Sequence, residues 1–174
     1  SNRSYDEVAI DDIAEQAGIS KGLLYYYFPT KHAFYVAIVR EAATQLLEMT
    51  DPDETLAPLE RLRIGLCAYF TYAEQHAPAY LALLRGGVGI DAEVAAIVDG
   101  VRQTYAQRVL KGLPGSEKSA PLLRLAIRGW VGFVEALSVA WLEQREIEKE
   151  TLCELAHAAF LVLLRETQAA SPQT

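Results

Sequence analysis

The sequence lacks the residue patterns on which most enzyme classes depend. Its 3 histidines have no metal-ligand spacing such as HExxH, and there is no CxxC, GxGxxG, phosphate-binding loop or GxSxG. The many carboxylates stand beside lysine or arginine on helix faces, as solvated charges do. We therefore predict a protein that is not an enzyme and has no catalytic residues, metal or cofactor.

Cysteine, proline and glycine are scarce as well. The 2 cysteines, Cys67 and Cys153, lie far apart in apolar segments, which favours reduced buried thiols over a disulfide. No run of about 18 uncharged apolar residues is present, and the start does not resemble a signal peptide. We therefore expect a cytoplasmic protein without a membrane partner.

The residues that are abundant indicate helices. Apolar residues make up 51% of the chain, and they recur three or four positions apart over long stretches instead of alternating. The 7 prolines and 11 glycines fall mostly between these stretches. This pattern predicts an all-α fold. The expected helices after the first 30 residues are 31–49, 59–76, 80–84, 91–111, 121–145 and 149–168, with a flexible glycine connection at 86–89.

The stretch 10–31, IDDIAEQAGISKGLLYYYFPTK, predicts two short helices joined by a sharp turn. Apolar residues within 10–17 share one helix face, and Gly18 suits a left-handed helix end. Ser20 can cap the second helix, Pro29 ends it, and Thr30 can cap the helix that follows. Two short helices around a glycine corner form a helix-turn-helix.

Three consecutive tyrosines, Tyr25 to Tyr27, make the second of these helices unusual. Consecutive helical residues point about 100° apart, so the three rings cannot all face one core. An outward tyrosine beside Lys21 can bond phosphate and touch base edges. The alternative is an aromatic hinge packed beneath a helical domain.

The run IAEQAGISKGLLYYYFPTK resembles the DNA-binding signature of the TetR family of transcriptional regulators. The resemblance implies an all-helical homodimer with an N-terminal helix-turn-helix DNA-binding head, residues 1–46, and a C-terminal helical ligand-binding and dimerisation domain, residues 47–174. It also implies a further helix before Ser1, so we expect a head truncated at its N-terminus. The residues that it places at DNA are Ser20, Lys21, Gly22, Leu23, Tyr25, Tyr26, Tyr27 and Lys31.

The distribution of charge along the chain bears on the predicted DNA binding. The net charge is −7, and residues 1–40 contribute four cations and five anions, or −1. Between Gly18 and Arg40, however, there are three cations and no anion, and recognition depends on local charge. Asp11 stands where members can be basic. It either serves the helix dipole or reads a cytosine amino group.

The last two predicted helices are apolar around their whole circumference. Such helices need cover on two sides, and a second copy of the chain can provide one of them. The family pairs these helices across its dimer, although burial within a monomer would also explain them. The expected interface residues are Gly129, Gly132, Ala136, Leu155, Ala159 and Leu163.

Large aromatic residues in the C-terminal part suggest a pocket for a flat or apolar ligand. Core packing is the better explanation for any single one of them, so the prediction concerns the set rather than its members. Glu135, within an apolar helix, lies either at a wet edge or as a buried anchor for a cationic or hydroxyl group. The residues expected to line the pocket are Tyr69, Phe70, Tyr105, Trp130, Phe133, Val134, Leu137 and Trp141.

Together these features predict a ligand-responsive DNA-binding transcriptional regulator. We expect a repressor that a small, mostly apolar effector releases from a palindromic double-stranded DNA operator. The alternative is a helical protein-interaction module, or an enzyme, that does not bind DNA.

Overall fold

The computed structural model describes residues 20–51, 53–87, 91–113 and 121–170. Their regular structure is entirely helical, which confirms the predicted all-α fold. The chain divides into two compact units, the first ending at Ala42 and the second beginning at Ala43. The helices are α1 (Lys21–Tyr27), α2 (Lys31–Met49), α3 (Pro58–Gln75), α4 (Ala77–Ala82), α5 (Ala92–Gly112), α6 (Pro121–Gln144) and α7 (Lys149–Ala169).

Part of the predicted motif lies outside the described residues. This applies to the expected first helix at 10–17, to Asp11 and to Gly18, and also to the side chains of Lys21 and Leu24.

Hydroxyl side chains cap the first two helices, as the sequence predicts. The Leu23 backbone N–H donates to Ser20 Oγ at 3.2 Å. The Ala33 N–H donates to Thr30 Oγ1 at 3.0 Å. Each bond satisfies a backbone donor that the first turn of a helix leaves unpaired. The two caps set the bounds of α1 and α2 on either side of Pro29.

The helical path changes direction between α3 and α4. Helix α3 ends at Gln75, and Pro78 then lies in the first turn of α4, where its missing N–H costs nothing. After α4 the chain continues as one π-helical turn, Leu83–Gly87. The expectation of a flexible connection was therefore wrong for Gly86 and Gly87, because π-helical bonding extends through both.

The core of the second unit forms around α6, which packs against α5, α7 and α3. Ile127 on α6, Phe70 on α3 and Phe160 on α7 are almost completely buried. Helix α6 is long and apolar enough to cross a membrane by length and composition alone. The side of α6 that carries Trp130 and Trp141 is buried within this unit.

Two tryptophans of α6 fix the position of α7. Trp130 Nε1 donates to the Ala156 carbonyl at 3.0 Å. Trp141 Nε1 donates to the Ile147 carbonyl at 2.7 Å. Between the helices Arg145 takes a positive φ of 50°, a left-handed residue that reverses the chain. Helices α6 and α7 therefore lie antiparallel.

Candidate DNA, effector and dimer sites

Helix α1 presents aromatic side chains outward. Tyr26 is 79% exposed, Tyr27 is 66% exposed and Tyr25 is 45% exposed. The rings of Tyr26 and Tyr27 meet edge to face, with centroids 5.3 Å apart. This contact limits the ring orientations in the absence of any ligand.

The other predicted DNA residues that can be assessed are exposed too. Leu23 is 46% exposed, and Ser20, Gly22 and Lys31 are open to solvent. A Cβ placed on Gly22 would meet no heavy atom within 4 Å among the described residues. Backbone and hydroxyls along this short helix can therefore approach a large ligand closely, as reading a major groove requires.

A chain of buried hydroxyls lies in the second unit. Ser138 Oγ donates to the Glu135 carbonyl at 2.7 Å, so it must accept from Tyr80 Oη, which lies 2.7 Å away. Tyr80 in turn accepts a hydrogen bond from Tyr69 Oη. The chain thus runs in one direction, from α3 through α4 to α6, and ends on a backbone oxygen.

Burial keeps these hydroxyls protonated. It raises the pKa of Tyr80 to about 12 and the pKa of Tyr69 well above its usual value. Ser138 and Tyr69 both hydrogen-bond Tyr80 and partly oppose that shift. At neutral pH both phenols are therefore uncharged donors.

An ion pair adjoins this chain. Arg102 on α5 donates to both oxygens of Glu135, from Nε at 3.0 Å and from Nη2 at 2.6 Å. Arg102 Nη1 also reaches Asp99 at 2.9 Å. The Glu135 side chain is 22% exposed, so it is a half-buried partner rather than a free carboxylate at a wet edge. The three groups carry a net charge of −1.

Most of the predicted pocket residues come together in the core. Tyr69 packs edge to face on Phe70 with centroids 5.7 Å apart, and Phe70 packs likewise on Trp141 at 6.2 Å. Phe133 lies apart from them, 40% exposed on another face of α6. Of the remaining members, Trp130 and Val134 are buried, whereas Tyr105 and Leu137 are half-buried.

Sequence reasoning missed Ser138. Its only sequence signal is a serine within the apolar run of α6, at a position that the helical period places on the core side.

One face of α6 has only apolar and small residues. The exposed positions on this face are Leu122, Leu125, Gly129, Gly132, Phe133, Ala136 and Ala140, and the exposed Arg124 and Arg128 lie along its edge. Leu125 is 70% exposed. A Cβ on Gly129 or Gly132 would meet no heavy atom within 4 Å among the residues described.

Helix α7 adds exposed apolar residues of its own. Leu155 is 50% exposed, Val162 is 53% exposed and Leu161 is 37% exposed. The predicted interface residues Ala159 and Leu163 are half-buried. Exposed apolar residues repeated along two long helices are typical of a surface that another protein covers.

A short helix with an N-terminal cap and exposed tyrosines, followed by a helical unit with an internal polar chain, fits a DNA-binding regulator with an effector-type domain. Residues 58–163 match the family model described as "Tetracyclin repressor-like, C-terminal domain". Residues 1–38 match the model described as "Bacterial regulatory proteins, tetR family". The chain belongs to the TetR family of transcriptional regulators.

Individual relatives agree with this assignment. A crystal structure of a TetR-family regulator from Streptomyces coelicolor is 32% identical, with a TM-score of 0.85 over 97% of this chain and 76% of that one. The repressor KstR of Rhodococcus jostii is 30% identical over 150 residues, 83% of this chain and 68% of KstR. The activator FasR of Mycolicibacterium smegmatis is 26% identical over 157 residues, 88% of this chain and 72% of FasR.

These comparisons confirm the predicted fold and the predicted function as a DNA-binding transcriptional regulator. Regulators of this family bind DNA and small-molecule effectors.

Proposed function

We propose that the chain is a homodimeric repressor that binds a palindromic operator and is released from it by a small, mostly apolar effector. The observation that carries this proposal is the apolar face of α6, Leu122 to Ala140, together with the exposed residues of α7. Covering both helices by a second copy would remove this surface from water. Closed two-fold pairing is the commonest way in which chains do so.

Two-fold pairing also suits DNA recognition. A dimer presents two copies of α1, and a palindrome offers the same bases twice, one helical turn apart. Tyr25, Tyr26 and Tyr27 would contact base edges and phosphates, and Lys31 would add phosphate contact. The domain boundary that we propose is the predicted one, with 1–46 as the DNA-binding part and 47–174 as the effector and dimer part.

The effector would bind among the aromatic residues of the second unit, beside the hydroxyl chain. A carboxylate ligand would have to displace Glu135 from Arg102, whereas a hydroxyl group could join Tyr69, Tyr80 and Ser138 without breaking an ion pair. The net charge of −1 also favours a neutral or cationic head group. We therefore propose an apolar molecule that carries a hydroxyl or an amine.

The proposed dimer interface is tested by replacing exposed glycines with leucine. Gly132→Leu places a bulky side chain on the proposed interface, and Gly100→Leu is the matched control, because its Cβ position on α5 is equally open. If a partner helix packs on Gly132, the first variant alone should raise the dimer dissociation constant by about tenfold or more. Sedimentation of both variants and of the wild type measures it. A monomeric wild type, or equal dissociation constants for the two variants, would contradict the proposed interface.

The effector class is tested by release from DNA. Fluorescence anisotropy of a labelled operator would be followed while alcohols, amines and carboxylic acids of matched carbon length are added. The proposal predicts release by alcohols or amines at lower concentrations than by the acids. Release by the acids alone would overturn the assigned head group, and no release by any of them would argue against effector control of this kind.

A further inference from the structure

The C-terminal end of α2 is held by side chains of α5. Thr50, directly after α2, is 4% exposed. Its Oγ1 donates to the Leu46 carbonyl at 2.7 Å, so its hydroxyl proton is already used. Tyr105 Oη lies 2.9 Å from the same oxygen and must therefore be the donor. A hydrogen bond from α5 thus ends on the residue that directly follows α2.

Arg108, one turn after Tyr105, makes further contacts of the same kind. We call the contacts of Tyr105 and Arg108 with the end of α2 the junction. Its Nη2 donates to the Leu47 carbonyl at 3.0 Å, and its Nη1 donates to the Thr50 carbonyl at 3.4 Å. An ion pair of 3.1 Å joins it to Asp51. The last carbonyls of a helix lack partners within the helix and carry partial negative charge, so a guanidinium fits there.

Helix α5 is also tied to α6, one turn before Tyr105. Arg102 makes the two-bond contact with Glu135. The Tyr105 ring packs edge to face against Tyr69, with centroids 5.9 Å apart. Three residues spaced by three along α5 therefore join the end of α2 to the hydroxyl chain in the core.

We propose that Tyr105 and Arg108 are positioning residues for operator binding: they set the position of the end of α2, and the effector changes DNA affinity by altering this junction. Helix α2 begins in the first compact unit and ends in the second. The inference rests on the proposed function and names the residues that couple its two parts.

The junction is tested on an operator that the wild-type protein has selected from a random-sequence DNA pool. Tyr105→Phe removes one hydroxyl and keeps the ring, and Arg108→Gln removes the guanidinium. Thr104→Val is the control for the hydroxyl, because among the described residues Thr104 bonds within α5, to the Gly100 carbonyl. Arg63→Gln is the control for the charge, since Arg63 pairs with Glu154 on the surface.

The Kd for the operator and the midpoint temperature of thermal unfolding would be measured for each variant. The Kd would be measured at a temperature well below that midpoint. A positioning role predicts that the two junction variants change Kd by about three- to thirtyfold, while the controls stay within about twofold. It also predicts an altered ranking of operators whose half-sites are moved one base pair closer or further apart, because dimeric readers are sensitive to spacing. A purely stabilising role would leave that ranking unchanged.

The outcomes separate the two proposals. If the wild type selects no operator, the proposed function fails and this inference fails with it. If the wild type selects one, but both junction variants keep its Kd and its spacing preference while unfolding at lower temperature, the junction is only a helix cap and the inference alone is overturned.

Discussion

Tyrosine has opposite roles in the two compact units. On α1 the rings of Tyr25, Tyr26 and Tyr27 are 45–79% exposed, and each is free to meet a large ligand. In the second unit Tyr69 and Tyr80 are at most 9% exposed, and their hydroxyls bond to each other and to Ser138. The same type of side chain is thus exposed to solvent on α1 and part of the core in the second unit.

The difference shows what decides the role of a polar aromatic residue. A buried hydroxyl must have partners, because leaving it unpaired costs more than a bond gains. An exposed hydroxyl bonds water and can exchange that water for a phosphate. Substitutions in the core should therefore change mainly stability, and substitutions on α1 should change mainly DNA affinity.

The largest effect is expected for Tyr80→Phe. The variant removes the acceptor of Tyr69 and the donor to Ser138, and leaves a buried hydroxyl of Tyr69 without its partner. We expect a loss of about 1–3 kcal/mol in the free energy of unfolding. Urea denaturation followed by circular dichroism measures this. Unfolding at the wild-type urea concentration would show that the hydroxyl chain contributes nothing to stability.

A smaller effect is expected at alkaline pH. Burial raises the pKa of Tyr80 and of Tyr105 from 10.0 to about 12, so between these values the unfolded chain has released protons that the folded chain retains. Stability must then fall as pH rises from about 10 to about 12.

Thermal unfolding at several pH values, compared between wild type and Tyr105→Phe, tests this dependence. The variant should lose less stability over that range. An identical pH dependence in the two proteins would exclude Tyr105 as a contributor.

The smallest effect on stability is expected for Tyr26→Phe. Because Tyr26 is exposed, the free energy of unfolding of the variant should stay within about 0.5 kcal/mol of the wild-type value. Operator affinity should fall by roughly fivefold if the hydroxyl donates to phosphate. Anisotropy titrations and urea denaturation on the same preparation measure both quantities. A large stability loss with unchanged affinity would reverse the contrast between the two units.

Much of this contrast could be predicted from sequence. Helical spacing requires that three tyrosines in a row cannot all be buried, and Ser20, Thr30 and Pro29 mark helix ends by local chemistry alone. The bounds of α2 were predicted to the residue, because Lys31 follows a capping threonine and Asp51 follows the last apolar turn.

The tertiary pairings could not be predicted in this way. Glu135 reaches Arg102 across 33 residues, and Thr50 reaches Tyr105 across 55, distances at which periodicity carries no information. Phe133 was grouped with the pocket on residue type, but its helical phase places it with Gly129 and Ala136 on the open face. The π-helical turn at Leu83–Gly87 was missed since its glycines suggest a loop.

The most direct test of the central claim is selection of DNA from a random-sequence pool, followed by titration of the selected duplex across a salt series. The proposal predicts a palindromic site, two protomers per site, and an affinity that falls linearly with the logarithm of salt concentration. Lys31→Ala should reduce that slope by about one. Failure to enrich any sequence, or a single protomer bound to an asymmetric site, would contradict it.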